Sequence, residues 1–140
     1  MKDVIVESSS GRFAQEIQVG SHWLKSDEPI EAGGTDTGPS PYDLLLAALG
    51  SCTSMTLRLY ADRKEWPLEG VTVYLSHQKI HARDCEDCET REGKLDRVER
   101  RIELRGALSG EQRARLLEIA NKCPVHRTLT SEVSIVSTLL

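Results

Sequence analysis

The chain has no excess of basic residues: 18 Lys and Arg stand against 22 Asp and Glu, giving a formal net charge of −4 and a pI near 5.6. That balance argues against a nucleic-acid binder relying on a basic surface. No secretory signal is legible, since MKDVIVESSS puts charges where such a peptide needs an apolar core. The longest weakly polar run, Leu44 to Cys52, is too short to cross a bilayer. Internal repeats and low-complexity tracts are missing, as are a phosphate loop, a dinucleotide fingerprint, a G-x-S-x-G elbow and a paired-carboxylate signature. These absences predict a soluble, cytoplasmic protein that engages neither nucleic acid nor a membrane.

What is present suits one ordinary globular unit. With 39% hydrophobic residues and a small net charge the chain does not read as disordered. A chain of 140 residues buries roughly 68% of its unfolded surface, so residues 1–140 are expected to form a single domain without disulfide staples. Val4-Ile5-Val6, then Phe13 with Ile17 and Val19, then Trp23-Leu24 read as short strands between Ser/Gly turns. EAGGTDTGPSP is a loop, and its end carries helix-start signals: Ser40 as N-cap, Pro41 in the first position and Asp43 three residues after the cap.

The spacing predicts a helix from about Pro41 to Arg63, with Leu45, Leu49, Cys52, Thr56 and Leu59 on one face. Leu44, Leu46, Ala47 and Ala48 widen its apolar surface around most of the circumference, which predicts a buried central element. Val71, Val73 and Leu75 then pair with Val98, Ile102 and Leu104 in a hairpin, Arg100 interrupting the apolar row. Arg97, Glu99, Arg101, Glu103 and Arg105 make a solvated opposite face. Ser109 and Gln112 form a capping box for a second helix, a break at Cys123-Pro124 starts a third, and Val133, Ile135 and Ser137 alternate in a closing strand. The order β-β-β-α-β-β-α-α-β is that of an α+β fold.

Four cysteines carry the chemical signal, and in a reducing cytosol they read as chemical or metal-binding groups rather than cross-links. Cys52 lies well inside the apolar helix, with no base one turn away to lower its pKa; a small core residue is the bland alternative. Cys123 precedes Pro124 and is a candidate N-cap, where amide donors stabilise a thiolate, and His126 and Arg127 follow one turn on. Read locally, this makes Cys123 a nucleophile with His126 as base, as in a Cys/His hydrolase. Cys85-x-x-Cys88 follows His81 by four residues and fits half of a zinc site with His81 and His77, a redox pair, or a bare hairpin tip. The corresponding function is a metal- or ligand-binding module built on His81, Cys85 and Cys88. His22 and His77 read as strand packing residues.

Two segments together resemble the OsmC/Ohr family. GPSPYDLLLAALGSCTSMTL (Gly38–Leu57) is similar to that family's cysteine-bearing central helix, and KCPVHRTL (Lys122–Leu129) to its second cysteine motif. The closest likeness is to the branch that carries the HARDCEDCET insertion. The resemblance implies an intertwined homodimer with an OsmC-like fold and a thiol-dependent peroxidase that reduces organic hydroperoxides in oxidative-stress defence. Cys52 would be the peroxidatic thiol, Cys123 the resolving thiol, and an external dithiol the reductant, with no cofactor. Leu45, Leu49 and Met55 would wall the peroxide pocket. The family also uses an arginine from the N-terminal strands, for which Arg12 is the candidate, and a glutamate just after the helix-opening proline. That position holds Tyr42 here, with Asp43 next as the candidate substitute. So apolar a helix in a chain with 4% aromatic residues also suggests that a second subunit buries part of its surface.

Overall fold

A computed structural model of the chain describes residues 3–140. The chain forms two compact units, Met1–Leu45 and Leu46–Leu140, the boundary in sequence falling inside the long helix. Among the described residues of the first unit, β1 (Val4–Ser8), β2 (Gln15–Val19) and β3 (His22–Ser26) form one antiparallel sheet in that order. The β2–β3 turn is two residues long, Val19 pairing with His22, and Gly20 takes the positive φ of 60° that such a turn asks of its first residue. The sheet leaves apolar side chains in the open: Val4, Ile5, Val6, Trp23 and Leu24 are all exposed.

A buried acid organises the loop that follows. Asp27 is 2% exposed. Its Oδ2 accepts from the Thr35 hydroxyl at 2.6 Å, the Thr37 hydroxyl at 2.7 Å and the Thr37 amide at 3.2 Å. Its Oδ1 accepts from the amides of Glu28 at 2.7 Å and Thr35 at 3.4 Å. The Thr35 and Thr37 hydroxyls hold this carboxyl well below the usual carboxylate range against the opposing effect of burial, and the backbone amides reinforce them. The loop thus winds around one charge, and residues 27–37 arrive in register to start the helix. There the Ser40 hydroxyl accepts from the Asp43 amide at 3.2 Å and the Asp43 carboxylate accepts from the Ser40 amide at 3.0 Å, the reciprocal cap anticipated from their spacing.

Helix α1 runs Pro41–Lys64. Its buried stripe is Leu49, Gly50, Thr53, Leu57 and Ala61, a spacing of about four that differs from the expected face, of which only Leu49 is buried. The expectation of a buried central helix is corrected in the same way, because Leu45 is 41%, Met55 70% and Leu59 53% exposed. With an 18-residue window of mean hydropathy 1.3, α1 is long and apolar enough by length and composition to cross a membrane, so the nine-residue run noted in the sequence understates its apolar length.

In the second unit the buried stripe packs on a long two-stranded ribbon and on α2. Strands β4 (Gly70–His81) and β5 (Lys94–Arg105) pair antiparallel along their whole length, from Gly70 with Arg105 to His81 with Lys94. A Cβ added at Gly50 would lie 2.8 Å from Leu75 Cδ1, so the small residue is what lets helix and ribbon approach closely. Helix α2 (Gly110–Ala120) opens with the expected capping box between Ser109 and Gln112. Its Leu116, Ile119 and Ala120 close on Leu57, Ala61 and Leu68 to make the core. Each fully buried Leu there contributes roughly 1.5–3 kcal/mol by leaving water. From Glu99 to Arg105 the charged row of β5 faces solvent as expected, with the Arg101 guanidinium 5.1 Å from the centre of the Tyr74 ring, whereas Arg97 is half-buried and its neighbour Val98 exposed.

Helix α3 (Pro124–Leu129) follows immediately, and the expected closing strand does not form: Ser131–Leu140 are exposed and irregular. Alternation alone does not make a strand, whose amides need a partner: β1, β3, β4 and β5 each keep an open edge, but among the described residues this segment pairs with none of them.

Asp27→Asn is expected to lower the melting temperature at pH 7, since an amide cannot accept from all these donors. The native carboxyl titrates below its unfolded value of about 3.9, so its stabilisation is full above that pH and is lost as pH falls. The gap between wild type and variant should therefore narrow from pH 7 toward about pH 2 in calorimetry; a gap constant with pH would contradict this.

Candidate active site

The start of α3 gathers sulfur chemistry in the second unit. Cys123 is its N-cap, as its place before Pro124 suggested: the thiol sulfur accepts from the His126 amide at 3.2 Å. The residue is fully buried. Cys52, about three turns into α1, meets the same turn, and the Val125 amide donates to its sulfur at 3.5 Å. Two cysteines far apart in sequence thus share three consecutive residues of backbone, Pro124 to His126. Pro124 has no N–H to offer, so Val125 and His126 supply the first free amides of the helix, one for each sulfur.

Burial disfavours a charged sulfur at Cys123, yet the thiol is held below its ordinary range. Hydrogen bonds from the His126 amide, the Cys52 thiol and the Thr53 hydroxyl, together with the charge of Arg100, outweigh the loss of water. Thr53 Oγ1 lies 4.0 Å from the Cys123 sulfur and 3.0 Å from Arg100 Nη1, while Arg100 Nη2 donates to Asn121 Oδ1 at 2.9 Å. The side chain that interrupts the apolar row of β5 is therefore the cation of the site. Its only sequence signal was that break: a charge on the inward parity of an otherwise apolar strand needs a partner inside.

Two hollows flank the thiols. One, of about 420 Å³, is lined by Ala48, Ser51, Cys52, Met55, Thr56, Leu59 and Pro124 and is mostly apolar. Cys52 is half-buried and opens into it; Cys123 does not. The other, of about 430 Å³, has Arg100, Asn121 and His126 on its wall with Leu49, Val98 and Leu117. His126 contacts Cys123 through its backbone amide and lines this second hollow, and burial and then the Arg100 charge lower the imidazole pKa, favouring its neutral form. The Cys/His hydrolase arrangement is thus not assembled: the sulfur has no opening and the ring is not its hydrogen-bond partner.

The remaining candidates divide between the two units. Met55 lines the Cys52 hollow and Leu49 the Arg100 hollow, whereas Leu45 belongs to the first unit and is exposed. Arg12 and Asp43 also belong to the first unit; Arg12 stacks over the Phe13 ring at 5.0 Å, and the Asp43 carboxylate caps α1. Cys85 and Cys88 are bonded to each other across a Cα separation of 5.6 Å, so for this pair the preference for chemical or metal-binding groups over cross-links is corrected, and the bond fits the redox-pair alternative. Sulfurs joined in this way are not thiolate ligands, and the acid beside them is Asp87 rather than His81, so this form does not fit a zinc ion. His77 Nε2 instead lies within hydrogen-bond distance of Asp96 Oδ1, at 2.8 Å.

The OsmC-like protein family model matches residues 34–138 of the chain. Solved structures similar to it include an OsmC-like protein from Mycoplasma pneumoniae, at 17% identity and a TM-score of 0.72 over 92% of this chain and 86% of that one. An organic hydroperoxide resistance protein OsmC from Legionella pneumophila is 20% identical, with a TM-score of 0.66 over 91% and 89%. An organic hydroperoxide resistance protein from Elizabethkingia anophelis is 18% identical, with a TM-score of 0.67 over 93% and 88%. At these identities the likeness is one of fold. No curated protein matches the chain by sequence.

Arg100→Met is expected to raise the titration midpoint of the Cys123 thiol, followed by thiolate absorbance near 240 nm in a Cys52→Ser background, and Arg100→Lys should raise it less. An unmoved midpoint in Arg100→Met would remove Arg100 from the site.

Proposed function

The chain belongs to the OsmC-like family, and on that premise we propose that it is a thiol-dependent peroxidase for organic hydroperoxides, with Cys52 as the peroxidatic and Cys123 as the resolving thiol. The observation that carries this reading is the shared turn at the start of α3: it pairs a sulfur open to an apolar hollow with a buried sulfur already disposed to be a thiolate. Accessibility divides the roles. Only Cys52 can meet a peroxide, and the hollow beside it suits an alkyl substituent better than hydrogen peroxide.

In the proposed sequence the Cys123 thiolate takes the proton that the Cys52 thiol donates to it. The Cys52 thiolate attacks the distal peroxide oxygen, the O–O bond breaks, and the alkoxide takes a proton from water and leaves as alcohol. Cys52 is then a sulfenic acid. The Cys123 sulfur attacks it, a Cys52–Cys123 disulfide forms and water departs; an external dithiol is oxidised in returning both thiols. Thr53 and Arg100 position and charge-balance Cys123 during these steps without touching the peroxide.

The protein is further proposed to act as a homodimer. Apolar side chains stand exposed on the first sheet, on α1 and in the C-terminal segment, where Ile135 is 84% and Val136 87% exposed. A second copy offers all three the cover that one chain lacks.

Turnover of an alkyl hydroperoxide with a dithiol reductant should fall at least about 1000-fold in Cys52→Ser. Cys123→Ser should still form one sulfenic acid per chain, trapped by a sulfenate-specific nucleophile, before cycling stops. Undiminished turnover in Cys52→Ser sinks the proposal. Sedimentation should give a particle of two 15.6 kDa chains; a monomer at micromolar concentration would refute the dimer.

A further inference from the structure

The connection between β4 and β5 carries a second pair of sulfurs that the peroxidase chemistry does not use. Cys85 is buried and Cys88 half-exposed, and the two are joined. The link does little to hold the hairpin. Strand pairing runs to His81 and Lys94, and the Ala82 amide donates to the Gly93 carbonyl at 2.9 Å, so the connection is closed before the sulfurs meet. A bridge spanning two intervening residues inside a loop already closed removes little further chain entropy. From Arg100 to the end of β5 at Lys94 the strand covers roughly 20 Å, at about 3.4 Å per residue, which puts the pair beyond direct exchange with Cys52 and Cys123 of the same chain.

We propose that Cys85–Cys88 is a second redox centre, a reversible disulfide that exchanges electrons with an external, positively charged thiol partner by attack on Cys88. The unequal exposure of the two sulfurs sets the direction. The incoming thiolate attacks the Cys88 sulfur, the Cys85–Cys88 bond breaks, and a mixed disulfide forms on Cys88. The freed Cys85 sulfur takes up a proton and can donate it to the Asp87 carboxylate, whose Oδ1 lies 3.4 Å away. A second partner thiol then displaces Cys88, which is protonated in turn. The net change is two electrons and two protons gained by the pair, with the partner oxidised to a disulfide. Charge selects the partner: residues 82–93 hold five acidic residues against two arginines, so a cationic thiol is drawn in and an anionic one repelled.

The test uses the full chain and its Cys52→Ser/Cys123→Ser variant, equilibrated in buffers of graded reduced-to-oxidised dithiothreitol, then acid-quenched and alkylated. Trypsin releases Asp84–Arg91 with both sulfurs, so its mass reports this pair alone. The expected result is a reversible two-electron transition, the same in both proteins, and a cysteamine adduct on Cys88 with alkylated Cys85 after brief reaction. Reduction by cysteamine should outpace reduction by glutathione roughly tenfold at low salt, the gap closing as salt screens the loop. A pair that stays oxidised in the most reducing buffer while the protein remains folded, or stays reduced in the most oxidising one, overturns the proposal. An adduct on Cys85, or equal rates for both thiols at low salt, overturns the assigned direction or partner. Because the double variant lacks the peroxidase thiols, failure of that reading leaves this result intact.

Discussion

A sulfur without access to water becomes easier to ionise only where its surroundings more than replace the lost solvation, and Cys123 is such a sulfur. The His126 amide, the Cys52 thiol, the Thr53 hydroxyl and the Arg100 guanidinium supply that replacement together. Each comes from a different element or turn: α3 by its first free amides, α1 by two residues on adjacent positions, β5 by an inward-facing charge. The packing of α1 on the ribbon is therefore also the geometry of the site. Gly50 lets the helix sit close to Leu75, the residue paired with Arg100, and Thr53 lies one turn further along the same buried stripe.

The helix face that was expected to be core is the one that carries the opening. Turning the stripe by one position, to Leu49, Thr53, Leu57 and Ala61, leaves Cys52 and Thr56 half-buried and puts Met55 and Leu59 beside them on the wall of an apolar hollow. A cysteine in the stripe itself would be sealed like Cys123. Set just off it, Cys52 keeps a contact with the Val125 amide and an exit toward a substrate. The proposed division of labour between the sulfurs follows from that offset of a single residue around the helix.

Much of the framework was legible because its signals are local. Ser40 with Asp43, and Ser109 with Gln112, cap their helices by bonds that span three residues, and Cys123-Pro124 starts a helix for reasons contained in two. Strand alternation indicated the hairpins, although β4 and β5 run further than their apolar residues suggested because polar pairs such as Gln78 with Arg97 and Lys79 with Asp96 continue the ladder. The misreadings are non-local. The Val133–Ser137 alternation joins none of the open sheet edges among the described residues, and the Cys85–Cys88 bond depends on a loop conformation that spacing alone does not decide. Asp27 looked like an ordinary loop acid until Thr35 and Thr37 closed around it.

The sequence by itself determined which residues could do chemistry and where each helix begins, since residue type and capping act within a turn of the chain. It also determined the family, through two cysteine motifs in fixed order. Only the tertiary structure decided which sulfur is sealed and which is open, that Arg100 is the cation beside them, and that His126 serves through its amide. Those outcomes depend on how a helix rotates against a ribbon, and a rotation of one residue, too small to alter the apolar pattern, changes every partner a side chain meets.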